Sequence, residues 1–173
     1  MTLTPANPAD LDSLHALVHR AYRGDTARAG WSHEADLLDG QRTDRESLVD
    51  ALADPAQALL VMRDGDDLVA CVSLADKGDG RTYLGMLTVD PQRQAAGLGR
   101  ALLSGAEQAA ATIFGAQIVE MTVVAQRDEL IAWYERRGYR LTGERRPFPA
   151  ADPRFGLPKR DDLAFVVMDK NLA

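Results

Sequence analysis

One run constrains this chain more than any other: Val89-Asp90-Pro91-Gln92-Arg93-Gln94-Ala95-Ala96-Gly97-Leu98-Gly99-Arg100, followed at once by Ala101-Leu102-Leu103. It reads as the end of a strand, a sharp turn, a loop with two near-adjacent glycines and the start of a helix. Asp90-Pro91 stops the strand, because proline has no N–H for a ladder. Gly97 and Gly99 carry no Cβ, so an anion can approach the main chain there. The first turn of the next helix offers unpaired N–H groups and the positive end of its dipole. Arg93 and Arg100 add positive charge. This is a cradle for a phosphorylated ligand.

The rest of the composition narrows the setting. The chain has 173 residues, enough for one domain with a buried core, so 1–173 is expected to be a single domain. A net charge of −6 speaks against non-specific nucleic-acid binding and points to a neutral or cationic small partner. The single cysteine, Cys71, allows no intrachain disulfide and fits a reducing compartment. No apolar run is long enough to span a bilayer, and residues 1–10 lack the pattern of a signal peptide. The expected location is cytoplasmic, with no nucleic-acid or membrane partner.

Punctuation in the sequence divides the chain into short elements. Asn7-Pro8 marks a helix start, and Leu11, Leu14, Leu17 and Val18 give that helix an apolar face as far as about Gly24. Residues 29–41, with Trp31-Ser32-His33-Glu34, show no clear period. Thr43-Asp44-Arg45-Glu46 reads as a capping box for a helix that stops before Pro55. Residues 58–63 and 68–75 read as a hairpin around Asp64-Gly65-Asp66-Asp67, and 82–89 as the strand that feeds the cradle. A helix over 97–114, an apolar strand over 117–124, a helix over 128–137 capped by Gly138, and short strands over 139–142 and 162–168 complete the order. Pro147, Pro149, Pro153 and Pro158 are expected to hold a loop open. The sum is an α/β chain, a mixed sheet with helices on both faces.

Three phosphate ligands compete for the cradle. A nucleotide P-loop needs lysine and a hydroxyl after its last glycine, but Gly99 is followed by Arg100-Ala101. A dinucleotide fingerprint needs a third glycine, and Leu102 stands there. The run Val-x-Pro-x-x-Gln-x-x-Gly-x-Gly, by contrast, resembles the acyl-CoA binding motif of the GNAT superfamily of N-acetyltransferases, with Gln94, Gly97 and Gly99 at the diagnostic positions. Downstream, Leu130-Ile131-Ala132-Trp133-Tyr134-Glu135-Arg136-Arg137-Gly138-Tyr139 is similar to the family's second signature, a helix carrying a tyrosine and ending in Gly-Tyr. The likeness covers about 58–168 well and the first part in general layout. Ala95 stands where the family often has glycine, and Gln126-Arg127 stand where many members have an asparagine that contacts the pantetheine.

The resemblance implies a mostly antiparallel sheet of six to seven strands, acetyl-CoA as cosubstrate, and transfer of its acetyl group to a primary amine by direct attack. It assigns Leu87, Thr88 and Val89 to the pantetheine arm, and Gln94, Ala95, Ala96, Gly97, Leu98, Gly99 and Arg100 to the pyrophosphate. It makes Tyr134 the general acid for the departing thiolate. The base that takes the amine's proton has several candidates, Glu34, His33, Asp90 and Glu120. Glu34 leads, because it lies in the irregular segment where the family builds its acceptor pocket, with Trp31 as an apolar or cation–π wall. The acceptor is a small-molecule or peptide amine. The stretch 144–160, with Phe148 and Phe155, is a candidate either to fold over that acceptor or to form a homodimer contact. No metal is expected: His15 and His19 lie one helical turn apart, but Ala16 stands where a zinc protease has glutamate. Cys71, between Ala70 and Val72, reads as core packing. The alternative to an enzyme is a non-catalytic acyl-CoA binding module of the same fold.

Overall fold

The computed structural model describes residues 1–31 and 33–173, with only the main chain of Ala95 and Ala96. Ser32 lies outside the described residues. One sheet holds seven of the strands. In chain order these are β1 (Leu3–Pro5), β3 (Gln57–Asp64), β4 (Asp67–Gly78), β5 (Arg81–Val89), β6 (Ile118–Val124), β7 (Arg140–Pro147) and β9 (Ala164–Asn171), and their spatial order is β1-β3-β4-β5-β6-β9-β7. Every neighbouring pair is antiparallel except β5–β6. Two further strands, β2 (Leu38–Asp39) and β8 (Leu157–Pro158), pair with each other in a small second sheet.

Alternation along the strands builds a core on each face. In β3, Leu59 and Val61 face one way and Leu60 and Met62 the other, as a period of two requires. The first pair packs with α1 (Leu11–Tyr22) through Leu14, Leu17 and Val18, and with Leu48 of α3 (Arg45–Ala53). The second pair packs with Leu102, Leu103, Ala106 and Ala110 of α4 (Leu98–Phe114). Cys71 is fully buried against the first layer, and that burial pushes its thiol pKa up to about 12, so it serves as an inert apolar filler. Two short helices are α2 (Gly24–Ala27) and α5 (Asp128–Glu135), and α5 carries residues of the site described below.

Local chemistry explains the element ends. Asn7 caps a 3-10 turn at Pro8–Asp10 through a reciprocal box with Asp10. The cap of α3 is Asp44, whose side chain accepts from the Ser47 amide at 2.7 Å, so the expected box at Thr43 is replaced by one residue further on. Past α5, Gly138 takes φ +89°, the left-handed turn that only glycine adopts without strain. The strand expected over 139–142 runs on to Pro147. Pro147 and Pro158 therefore sit in edge strands rather than in an open loop, where a missing N–H costs no ladder bond.

One irregularity positions everything that follows. Between the registered pairs Ser73↔Gly85 and Cys71↔Thr88, β5 has two residues, Met86 and Leu87, against Val72 alone. This is a β-bulge, and Met86 takes φ +52° within it. The Thr88 hydroxyl donates to the Met86 carbonyl at 2.9 Å and braces the distortion. The parallel partner β6 stays in register with β5 only over Arg81↔Ile118 to Tyr83↔Glu120. Beyond Tyr83 the two strands part, and the β5 main chain faces a cleft.

Candidate active site

Two cavities open into this cleft, of about 350 Å³ and about 300 Å³. The smaller is lined by Leu87 and Val89 of β5, by Gln94, Gly97, Gly99 and Arg100 of the cradle, and by Trp31, Trp133 and Arg137. The larger runs between β5, β6, α1, α3 and the segment after β7, and takes in Arg23, Glu34, Arg42, Phe148 and Phe155. Tyr22, Leu87, Arg127, Leu130 and Tyr134 line both. The cavities therefore meet at these five residues.

The smaller cavity has the shape of an anion cradle. Asp90 accepts from the Gln92 amide at 3.0 Å and caps the 3-10 turn Pro91–Ala96, which holds Ala95 and Ala96 as main chain. Gly97 follows with φ +77°, and a Cβ built there would meet nothing within 4 Å, so the space over it is open. The amides of Leu98, Gly99 and Arg100 begin α4 and have no carbonyl one turn earlier in the helix to pair with. Gln94 acts from inside the cradle. Its side chain donates to the Val89 carbonyl at 3.3 Å and accepts from the Trp31 amide at 3.0 Å. Thr88 and Leu98 turn their side chains elsewhere, Thr88 to the bulge and Leu98 toward the core. Arg93, expected to add charge here, instead pairs with Asp64 of the hairpin.

Trp31 also borders the cradle. It lines the cradle-side cavity and not the larger one, with its ring 6.0 Å from Trp133. Trp133 in turn carries the Arg137 guanidinium over its face at 3.6 Å, and Arg137 donates to the Trp133 carbonyl at 2.6 Å. The tryptophans and Arg137 form a wall opposite the glycines, with Trp133 at 3.5 Å from a Cβ built on Gly99.

Tyr134 stands at the junction, 5% exposed, edge-on to Trp133 and Tyr139 with ring centroids at 5.0 Å and 5.7 Å. Burial above all, and then its neighbour Tyr22, raises its hydroxyl pKa, so the group is protonated throughout the neutral range. Tyr22 is a site residue that the sequence reading missed. Its hydroxyl donates to the Leu87 carbonyl, the main-chain group at the bulge. The signal was present: the apolar stripe Leu11, Leu14, Val18 continues at helical spacing to Tyr22.

The four base candidates fall in different surroundings. Glu34 is 9% exposed and lines the larger cavity. Arg23 donates to it at 2.6 Å and Arg127 at 3.5 Å. Burial alone would raise its pKa, but Arg127, Arg42 and Arg23 together lower it below the usual carboxylate value. Such a group is a carboxylate held by two guanidiniums, and a weak base. Asp90 is bound by Arg20 at 2.7 Å as well as by its cap. Glu120 pairs with Arg146 at 3.0 Å and Arg81 at 3.6 Å, and lies outside both cavities. His33 accepts from the Ala35 amide through Nδ1 at 3.2 Å. In the stretch 144–160, Phe148, Pro149 and Phe155 line the larger cavity, and β8 pins this stretch to β2.

Comparison with known proteins agrees with this geometry. No curated protein matches the sequence. Among solved structures, the ribosomal-protein-S18-alanine N-acetyltransferase of Escherichia coli superposes with a TM-score of 0.71 at 17% identity, over 99% of this chain and 94% of that one. An aminoglycoside 6'-acetyltransferase type Ii gives 0.69 at 19% identity, over 100% and 98%. The protein yncA of Salmonella typhimurium, solved with its cofactor acetyl-CoA, gives 0.71 at 18%, over 100% and 94%. The profile of the acetyltransferase (GNAT) family matches residues 12–139, which include β5, its bulge, the glycine cradle and Tyr134. This chain belongs to the GNAT family of acetyltransferases.

Proposed function

We propose that this protein is an N-acetyltransferase that passes the acetyl group of acetyl-CoA directly to a primary amine, with Tyr134 as the general acid. The observation that carries the reading is the meeting of two cavities at Tyr134 and Leu87. A two-substrate transfer without a covalent enzyme intermediate needs such a meeting point, since its rate comes from holding both partners in contact.

The residues present fit the cosubstrate. The β5 edge beyond Tyr83 has main-chain groups with no registered partner on β6, which suits an extended pantetheine arm along Leu87 and Val89. The glycine cradle and Arg100 suit its pyrophosphate. When bound, acetyl-CoA supplies an activated acyl carbon and a thiolate leaving group. As that sulfur departs, the Tyr134 hydroxyl gives it a proton. Burial keeps the phenol neutral before the step, and a proton relayed from the reacting amine restores it afterwards. We propose that water carries off the amine's proton. Glu34 then holds Arg23 and Arg127 in position at the cavity wall rather than acting as base.

The test is release of free thiol from acetyl-CoA by the purified protein against a panel of primary amines. Amine-dependent release is the expected result. Binding of CoA with no release for any amine would instead favour a binding module without chemistry.

A further inference from the structure

The chain as a whole carries a charge of −6, yet the larger cavity has the opposite sign. Among the described residues, its charged lining is Arg23, Arg42 and Arg127 against Glu34 alone. Glu34 is spent on Arg23 and Arg127. Arg42 has no ion pair or hydrogen bond with a described residue, and its guanidinium lies over the Tyr22 ring at 5.5 Å. Arg23 is 1% exposed, and its Nε–H is buried without an acceptor. A buried guanidinium N–H left unmatched is costly, and it adds to the cavity's uncompensated positive charge. Much of the remaining wall is apolar and aromatic, with Leu38, Leu59, Phe148, Phe155 and Phe165, beside the hydroxyls of Thr43, Ser47, Ser73 and Thr122.

We infer that the acceptor is an amine that also carries a carboxylate, on an apolar body, with Arg42 as the carboxylate's partner: an α-amino acid with an apolar or aromatic side chain. The inference rests on the acetyltransferase reading. Tyr22 touches both cavities and has Arg42 over its ring, so the anion-binding end lies one aromatic ring from the point of transfer. That places carboxylate and amine a few bonds apart. A polycation would meet two guanidiniums in a cavity that screens them poorly. A carboxylate gains charge-assisted, fork-shaped hydrogen bonds from Arg42.

The test compares L-phenylalanine, L-leucine and L-methionine with their decarboxylated amines and with spermidine. It measures kcat/KM with acetyl-CoA, and calorimetric binding to the CoA complex. At least one amino acid is expected to exceed its decarboxylated partner by about ten-fold or more, the worth of one charged hydrogen bond. Arg42→Gln is expected to erase that preference by raising KM for the amino acid, with KM for acetyl-CoA unchanged. Arg42→Lys is expected to retain part of it, and CoA binding by both variants reports that they fold. Equal or better use of the decarboxylated amines or of spermidine would overturn the inference and leave the acetyltransferase intact. An amino acid that binds the CoA complex without thiol release would support the cavity's assignment and overturn the enzyme. No binding and no turnover of any amino acid overturns the inference.

Discussion

At the scale of single residues, Tyr134 and Glu34 illustrate how burial decides chemistry. Both are buried, and both face the same cavity. For the phenol, burial favours the neutral form and keeps a proton available. We therefore expect no loss of activity from ionisation of Tyr134 below pH 10 in a pH profile of kcat. For the carboxylate, three arginines outweigh burial and keep it charged. Glu34→Gln leaves Arg23 and Arg127 without their counter-charge, and is expected to lower stability by about 3 kcal/mol at pH 7, measured by urea unfolding. The sign with pH follows from the lowered pKa. Stabilisation from Glu34 is complete above its ordinary value of 4.5 and is lost as pH falls through its folded value. The gap between wild type and Glu34→Gln should therefore narrow below pH 4.5. A gap that widens in acid would contradict the arginine clamp.

At the scale of elements, the turn from β5 into α4 binds the fold to the site. Gly97 holds φ +77° at the start of α4. Gly97→Ala is expected to cost about 1–2 kcal/mol of strain, because a Cβ in that region meets the following carbonyl. It should weaken CoA binding by roughly ten-fold or more, read by calorimetry, while the far-ultraviolet spectrum stays that of wild type. This element was legible in the sequence, because Asp90-Pro91, Gly97 and Gly99 each act through local backbone chemistry. So were the β3–β4 hairpin, the apolar face of α1 and the Gly138 cap. The β2–β8 pair was not legible. Each strand has two residues, and nothing in Leu38-Asp39 announces a partner more than a hundred positions away. The bulge at Met86 was also hidden, since a methionine at positive φ is set by strand pairing and not by propensity. The place of Trp31, on the wall of the smaller cavity, was not legible for a related reason. The irregular segment fixes its path by docking on Gln94 and Trp133, contacts that no local pattern encodes.

At the scale of the whole molecule, a seven-stranded sheet is left partly unzipped between β5 and β6, and both cavities lie against the freed part of β5. A ligand that fills such a gap should stabilise the fold by mass action. Acetyl-CoA at a hundred times its Kd is expected to add about 2.7 kcal/mol, seen as a rise in Tm that Gly97→Ala diminishes. The family profile covers the cradle, and the assignment of acetyl-CoA to it is part of the proposed function. The claim special to this chain is that the two cavities join in catalysis at Tyr134. The most direct test is Tyr134→Phe, in which the ring remains and the hydroxyl goes. The account predicts a kcat for amine-dependent thiol release lower by about a hundred-fold, the usual worth of a general acid, with Kd for CoA within about two-fold of wild type. Wild-type kcat in the variant, or a loss of CoA binding as large as the loss of rate, would contradict it.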